Sequence, residues 1–285
     1  MKYIFFFFLS MIGISNGCYA TDLNSDRPIT IAILAKDKAH CLPYYLTCIE
    51  KQTWPASKTY LYIRTNNNTD STVTVLKEWI NKVKDAYLGI YFDESNVEQP
   101  IEQYTQHEWT CDRFKVLGAI RNHSIQWAYE HNSHYFVADC DNFILPNTME
   151  TLLETQLPIV APLLYSNTAY SNFHAEVDEH GYYASSPYYL PALNREIKGL
   201  IQMPVVHCTY FIQYEVLPDM TYDDESYRYE YVIFSDNARK KNIPQYLDTR
   251  NVYGYISFAE NGLDLVSEPW FITFSGQLHS CLKNQ

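Results

Sequence analysis

Short apolar runs alternate with amphipathic helical segments along the first half of this chain, and this alternation restricts its fold more than any other feature. The runs at 29–34, 59–65, 90–92 and 135–138 have the length and the β-branched or aromatic content of buried strands. Strands and helices that alternate in this way build a mainly parallel sheet with helices on both faces. We therefore predict a single α/β domain with a central sheet of that kind.

The helices between these strands are predicted from the spacing of their apolar residues. Pro43 suits the first turn of a helix that runs to about residue 51. The polar cluster at 66–70 suits the start of a second helix. The apolar face predicted for that helix is Val73, Leu76, Ile80, Val83 and Tyr87, and the face predicted for a third helix ending near residue 130 is Phe114, Leu117, Ile120, Ser124 and Trp127.

The second half of the chain has a less regular pattern. The sequence predicts a helix at 148–156, a strand at 159–162, a continuous strand at 205–212, a helix at 225–241 and short strand-like pieces after residue 251. An aromatic, irregular stretch at 165–191 lies between the strands predicted at 159–162 and 205–212. We expect the substrate to meet the fold along that stretch.

Residues 1–20 have the form of a secretory signal peptide, with Lys2, an apolar run at 4–14 and a small residue, Ala20, at the end. The apolar run is shorter than the about 20 residues that span a bilayer, which disfavours a membrane anchor. A lipoprotein leader using Cys18 is a minor alternative. We predict export to the periplasm, the medium or the endoplasmic reticulum lumen, and a single domain at 21–285 with no membrane span.

Charge and glycine content exclude several functions. The formal net charge of −12 disfavours a surface that follows nucleic-acid phosphates, so no nucleic-acid partner is expected. Only 9 glycines are present, and neither the dinucleotide-binding nor the P-loop glycine pattern occurs. No nucleophile elbow of a hydrolase occurs either. A nucleotide would have to be bound by another kind of site.

An acidic pair follows the predicted strand at 135–138. Asp139 and Asp141 are one residue apart, at the edge where ligands gather in a parallel sheet. Two such carboxylates can hold a divalent cation that keeps positions free for phosphate oxygens. This is the DxD arrangement of sugar-nucleotide transferases, in which Asp141 would hold Mn²⁺ or Mg²⁺ and Asp139 the metal or the ribose. Asn142 follows the pair and is a candidate for substrate binding.

A collinear series of short motifs makes the chain resemble a known family. The motifs are AHCLP (39–43), DST (70–72), LKEW (76–79), DCDNFIL (139–145), VAPLL (160–164), AYSNF (169–173), GYY (181–183) and PVVHCT (204–209). They resemble the collagen β-galactosyltransferases of glycosyltransferase family 25 type and the related glycosyltransferase domain of procollagen lysyl hydroxylases. The resemblance covers about residues 29–258.

The resemblance implies a GT-A fold that binds a UDP-sugar with a divalent metal, usually Mn²⁺, and transfers a hexose to a hydroxyl of a protein or glycan, which is hydroxylysine in the animal enzymes. Asp139 and Asp141 match the family's DxD motif. His207 is a candidate diphosphate or metal contact, or else a core histidine. The candidates for a loop that faces the sugar or the acceptor, or that is simply packed, are Tyr170, Asn172 and Phe173.

One departure from the family concerns the catalytic base. The family has a paired Asp-Asp at the start of the late helix, whereas here only Glu230 preserves a carboxylate. A carboxylate that takes the acceptor proton must lie within hydrogen-bond reach of it, and Glu230 is the leading candidate. Asp223 and Asp224 are the reserves. The collagen enzymes also carry two such domains in tandem, whereas this chain resembles one. The missing aspartate, and relatives thought to lack transfer activity, motivate the alternative function, a noncatalytic sugar-nucleotide- or glycan-binding or adhesion protein on the same scaffold.

Overall fold

The computed structural model describes residues 27–98 and 110–280, and it gives no side-chain placement for 278–280. The predicted signal peptide at 1–20 lies outside the described residues. None of the helices within the described ranges is long and apolar enough to cross a membrane.

A twisted sheet of eight strands forms the centre of the molecule. The chain contributes thirteen strands to its described part: β1 Ile29–Ala35, β2 Thr59–Thr65, β3 Gly89–Asp93, β4 His134–Ala138, β5 Asn142–Ile144, β6 Ile159–Pro162, β7 Leu164–Tyr165, β8 Phe173–His174, β9 Leu200–Met203, β10 Val205–Val206, β11 Thr209–Ile212, β12 Gln245–Asp248 and β13 Gly254–Ile256. The order in the large sheet is β3-β2-β1-β4-β11-β6-β12-β9. The first four of these strands are parallel, as are β6 and β12, while β11 and β9 run antiparallel to their neighbours. The predicted mainly parallel sheet is therefore confirmed.

Helices cover both faces of this sheet. They are α1 Leu42–Glu50, α2 Thr72–Val83, α3 Cys111–Glu130, α4 Thr148–Glu154, α5 Tyr189–Leu193, α6 Glu230–Lys240, α7 Gly262–Ser267 and α8 Pro269–Ser280. Alternate side chains of β1 point to opposite faces, as expected for a strand. Ile31 joins the core that contains α1, α2, α4, α7 and α8, whereas Ala32 joins the core that contains α3, α5 and α6.

Two small sheets flank the large one. β10 pairs with β8, and β13 lies between β5 and β7. Gly254 allows β13 to approach β5 closely, because a Cβ at that position would lie 2.0 Å from the Phe143 carbonyl oxygen. At the other end of β13, the Ser257 amide donates to the carbonyl oxygen of Asp141 at 2.9 Å. β13 therefore holds the backbone that follows β4.

The predicted continuous strand at 205–212 was wrong, because the chain breaks at His207 and Cys208. Cys208 has a φ of 63°, in the left-handed region that a non-glycine residue rarely adopts. The Thr209 amide donates back to the His207 carbonyl at 2.6 Å, which makes a tight turn between β10 and β11. The strand propensity of 205–212 is therefore overridden by a turn at a position where two sheets separate.

Three further expectations differ from the structure. The predicted helix at 225–241 begins at Glu230, since Glu225 has a φ of 64° and precedes a loop. The tail after 251 keeps one strand, β13, and then forms α7 and α8. On α3, the buried face is Phe114, Gly118, Arg121, Ser124, Ile125 and Ala128, which is rotated from the face expected. Leu117 and Ile120 were expected to be buried, but Arg121 lies inside instead.

Candidate active site

The site lies where three segments of the chain meet at one edge of the large sheet. Asp139 and Asp141 follow β4, and the loop at 36–39 follows the neighbouring parallel strand β1. Cys208 precedes β11, which is antiparallel to β4, so it reaches the same edge. The Asp139 amide donates to the Cys208 carbonyl at 3.0 Å. The residues that directly follow β1 and β4 and the residue that precedes β11 therefore meet at this edge.

Arg121 holds the first carboxylate of the pair. It projects from α3 with only 4% of its side chain exposed, and its Nη2 donates to Asp139 Oδ1 at 2.8 Å. Burial raises the pKa of Asp139, attraction to Arg121 lowers it, and repulsion from Asp141 adds to the rise, so that the pKa is above its ordinary value. Nε and Nη1 of Arg121 are buried without a hydrogen-bond partner among the described residues.

Glu230 approaches the same arginine from the first residue of α6. Its Oε1 lies 3.6 Å from Nε of Arg121, and its side chain is 6% exposed. Burial raises the pKa of Glu230 to about 7, and repulsion from Asp139 adds to this, while Arg121 opposes it. Oε2 of Glu230 is buried and has no partner within the described part of the chain. One guanidinium therefore joins Asp139 and Glu230, which are far apart in sequence.

Lys38 holds the second carboxylate. Its Nζ donates to Asp141 Oδ2 at 2.7 Å. Burial by itself lowers the pKa of Lys38, but attraction and the hydrogen bond to Asp141 outweigh burial and raise it above its ordinary value. The loop that carries Lys38 is tied to the loop after β2, because the Asp37 amide donates to Asn68 and the Lys38 amide to Thr72.

His207 lies beside this cluster in the tight turn before β11. Its Nδ1 is 2.9 Å from the sulfur of Cys208, and its Nε2 is buried without a partner among the described residues. Burial lowers the pKa of His207 well below its ordinary value, and His174 and Arg121 lower it further. Burial also lowers the pKa of His174, to about 4. Both rings are therefore neutral at pH 7, and each retains a nitrogen that can accept a hydrogen bond or coordinate a cation.

The aromatic stretch contributes one exposed ring to the site. Tyr170 is 42% exposed, and its ring packs at 5.7 Å from that of His207 and 5.4 Å from that of Phe258. Asn172 and Phe173 are buried instead. Asn172 Nδ2 donates to the Pro162 carbonyl at 2.8 Å, and its own carbonyl accepts from the His207 amide at 3.0 Å. Asn172 thus fixes the turn at His207, and Phe173 stacks on Tyr189 in the core.

Asn142 and Asp224, the other two predicted site residues, make their contacts away from Arg121. Asn142 is buried in β5, where its Nδ2 donates to Thr209 Oγ1 at 2.8 Å and its Oδ1 lacks a partner among the described residues. Asp224 lies in the loop before α6, and its carboxylate pairs with Arg228. Arg228 also contacts Asp236 on α6 at 2.9 Å. Within 27–98 and 110–280, no ion pair or hydrogen bond joins Asp224 to the Arg121 cluster, whereas Glu230 belongs to it.

The carboxylates of Asp139 and Asp141 can supply part of the coordination shell of a divalent cation. Across the described ranges, no group of three or more His, Cys, Asp or Glu side chains could hold a metal ion. Enzymes that act on nucleotides commonly hold Mg²⁺ by one or two carboxylates, while substrate phosphates and water supply the remaining ligands. Asp139 and Asp141 provide carboxylates of that kind, and oxygen ligands also suit Mn²⁺. Nε2 of His207 has no partner among the described residues, but His207 does not complete a group of three such side chains with the two aspartates.

Sequence reasoning missed Arg121 and Lys38. Arg121 lies on the buried stripe of α3 with Phe114, Gly118 and Ile125, which follow helical spacing. An arginine in register with such a stripe was the available signal, because a buried guanidinium must be paired with a carboxylate. For Lys38 no comparable signal existed, since one more lysine in a polar loop is unremarkable without the sheet order that places β1 beside β4.

Comparison with solved structures assigns the fold to a class. S. aureus TarS 1–349 in complex with UDP-GlcNAc superposes with a TM-score of 0.51 at 14% identity, covering 90% of this chain and 71% of the TarS 1–349 chain. The mannosyltransferase PcManGT from Pyrobaculum calidifontis, in complex with GDP-Man and Mn²⁺, gives a TM-score of 0.50 at 12% identity, over 93% of this chain and 77% of the other. The chain therefore has the GT-A fold of glycosyltransferases.

Sequence comparison then gives the family. Residues 27–268 match the family model "Glycosyltransferase family 25, N-terminal domain", so the chain belongs to glycosyltransferase family 25. Human procollagen galactosyltransferase 2 is 30% identical over 241 residues, which are 80% of this chain and 38% of that protein. The inactive glycosyltransferase 25 family member 3 of Mus musculus is 35% identical over 188 residues, 65% of this chain and 32% of the mouse protein. The chain thus spans about a third to two fifths of the length of the curated relatives it matches.

Proposed function

We propose that this protein transfers a hexose, galactose or glucose, from a UDP-sugar to a hydroxyl of a protein or glycan in a reaction that depends on Mn²⁺ or Mg²⁺. The observation that carries the proposal is the cluster at the end of β4, where the DxD carboxylates and Glu230 are joined through Arg121. The family and the GT-A fold support a transferase. The names of two relatives, procollagen galactosyltransferases 1 and 2, support a galactose donor and a protein acceptor.

Asp139 and Asp141 have separate tasks in this proposal. Asp141 holds the cation, and Asp139 contributes to the cation or contacts the ribose. A cation bound there supplies positive charge that stabilises the diphosphate as it leaves the sugar. Arg121 attracts the charged form of Asp139 and so opposes the rise in its pKa, since Nη2 of Arg121 donates to Oδ1 of that carboxylate. Asn142 and His207 are candidates for contacts with the donor.

Glu230 acts as the base that takes the proton of the acceptor hydroxyl. A pKa of about 7 suits this task, since a base is most effective when its pKa lies near the working pH. Oε2 has no partner among the described residues, so it has a free acceptor position for that proton. Asp224 is a weaker candidate because its carboxylate is already paired with Arg228 on the surface. Tyr170 supplies an exposed ring on which a sugar can stack.

The protein is proposed to act after export through the leader at 1–20, on donors and acceptors in the periplasm, the medium or the endoplasmic reticulum lumen. Its net charge of −12 is consistent with the expectation that no nucleic acid is a partner.

A second function is a noncatalytic sugar-nucleotide-binding or adhesion protein on the same scaffold. Two observations favour it. Relatives from mouse, cattle and human carry "inactive" in their names. In addition, the chain reads Arg228-Tyr229-Glu230-Tyr231 where the resemblance implies a paired Asp-Asp, so that only Glu230 preserves a carboxylate.

Release of sugar from UDP-galactose and UDP-glucose, with Mn²⁺ and with or without hydroxyl acceptors, distinguishes the two functions. The enzyme hypothesis predicts turnover by the wild type and a loss of about 10²- to 10⁴-fold in Glu230→Gln. Glu94→Gln is the matched control, because Glu94 is an exposed glutamate paired with Lys77. Binding of UDP without turnover by the wild type would support the noncatalytic protein.

A further inference from the structure

The ammonium group of Lys38 is bound to one of the two oxygens through which Asp141 would hold a cation. Nζ is 2.7 Å from Oδ2 of Asp141, and the two side chains are 27% and 30% exposed. The backbone of Lys38 is fixed on both sides, because its amide donates to Thr72 Oγ1 at 2.7 Å and its carbonyl accepts from the amides of Cys41 and Leu42. The ammonium is therefore delivered to Asp141 by an ordered loop.

The Lys38 side chain differs from the arginine that holds the other carboxylate. Arg121 is 4% exposed and buried between two elements, whereas Lys38 reaches Asp141 at the surface of the site. A lysine carries its charge on a flexible four-carbon stem and loses a partly exposed ion pair at small cost. Lys38 can therefore leave Asp141 while Arg121 stays with Asp139.

We propose that Lys38 is a built-in competitor for the cation site, so that a divalent cation binds Asp141 only when the Lys38 ammonium moves off that carboxylate. The inference rests on the proposed function, in which Asp141 is the cation ligand. The Lys38 ammonium group and the divalent cation need the same carboxylate, and two positive charges held on one carboxylate repel each other. Lys38 would thus lower the affinity of the free protein for the cation and bias cation binding towards the complex with the donor, whose phosphates offer additional ligands.

Direct binding of Mn²⁺ to the protein without nucleotide tests this inference. Electron paramagnetic resonance of free Mn²⁺ measures the dissociation constant independently of any turnover. Lys38→Met, which keeps the length of the stem, is expected to bind Mn²⁺ about fivefold more tightly than the wild type. Lys38→Arg, which keeps the charge, is expected to bind no more tightly than the wild type.

Two further variants show whether the effect belongs to the site. Lys77, on α2, makes an ion pair of the same 2.7 Å length with Glu94, so Lys77→Met removes one positive charge away from the site and is expected to leave the Mn²⁺ affinity unchanged. The double variant Lys38→Met with Asp141→Asn is expected to lose the gain. Thermal unfolding of each variant checks that it is folded.

The inference is overturned if Lys38→Met binds Mn²⁺ with the affinity of the wild type, if Lys77→Met gains as much, or if neither Lys38→Met nor the wild type binds Mn²⁺. Failure of the proposed function is a different result. Tighter Mn²⁺ binding by Lys38→Met together with no sugar release by any form of the protein supports the inference and contradicts the transferase. Sugar release by the wild type, together with equal Mn²⁺ affinities of the wild type and Lys38→Met, supports the transferase and contradicts the inference.

Discussion

Replacement of Glu230 by glutamine should change how the stability of the protein depends on pH. Between pH 4.5 and about 7 the folded protein keeps a proton on Glu230 that the unfolded chain has lost, since burial raises the pKa of this carboxyl from 4.5 to about 7. Unfolding then releases a proton, so the free energy of unfolding falls as the pH rises through this window. Above about pH 7 the carboxyl is ionised in both states, and the loss is complete.

The size of the effect follows from the two pKa values. Each tenfold difference in proton affinity corresponds to about 1.4 kcal/mol, so the ionised Glu230 costs about 3 kcal/mol of stability above pH 7. Attraction to Arg121 at 3.6 Å is already included in this figure. Glutamine resembles the protonated acid and does not ionise. Glu230→Gln should therefore match the wild type near pH 5 and exceed its stability by up to about 3 kcal/mol near pH 8.

Urea unfolding at a series of pH values, followed by circular dichroism, measures this difference. The exposed Glu94 provides the control, because Glu94→Gln should follow the wild-type curve within about 0.5 kcal/mol at every pH. Curves for Glu230→Gln and the wild type that stay parallel from pH 5 to 8 would contradict a raised pKa of Glu230. They would mean that Glu230 has the same pKa in the folded protein as in the unfolded chain.

Three other substitutions are expected to lower stability for separate reasons, each measured by urea unfolding against the wild type. Arg121→Met should cost about 1.5–3 kcal/mol because it removes the charged hydrogen bond from a buried guanidinium to the partly buried Asp139 carboxylate, and a loss below 1 kcal/mol would contradict that pair. Gly254→Ala should cost about 3 kcal/mol or more, since its Cβ would meet the carbonyl of Phe143 at 2.0 Å, and a neutral effect would argue against that close approach. Asn172→Ala should cost about 2 kcal/mol because buried backbone groups lose their partner, and it should leave the fold of the core intact by circular dichroism.

The order of strands and helices in the first half of the fold could be predicted from local sequence, because β1, β2 and β3 are each followed by a helix, although the buried face of α3 was not predicted correctly. The bounds predicted for the strand at 59–65 agree with β2, and those at 159–162 agree with β6. Both strands are buried runs next to turn residues, so local chemistry and tertiary packing favour the same structure. The acidic pair was likewise predicted to follow a buried strand of the central sheet, and β4 ends immediately before it.

The second half could not be predicted as well, since local preference and tertiary structure disagree there. Val205, Val206 and Thr209 favour one strand, yet Cys208 is held in a left-handed conformation so that β10 and β11 join different sheets. Nothing in the residues from 205 to 212 marks that point. A non-glycine residue in this conformation is typical of functional sites, where the surrounding structure holds it in place.

The side chains that complete the site depend on distances through space. Lys38 and Asp141 are 103 residues apart in the chain, and Arg121 reaches Glu230 from a different helix. Spacing predicts which face of an element a residue occupies, but it does not predict which elements become neighbours. The roles of His207, Asn142 and Tyr170 stay predictions for the same reason.

Calorimetric titration of UDP into the protein, with and without Mn²⁺, tests most directly whether the carboxylates after β4 bind a sugar nucleotide through a cation. We expect the wild type to bind UDP much more tightly when Mn²⁺ is present. Asp141→Ala should remain folded and lose that dependence. The proposed cation site would be contradicted if the wild type did not bind UDP, or bound it equally with and without Mn²⁺. It would also be contradicted if Asp141→Ala kept the full effect of the metal.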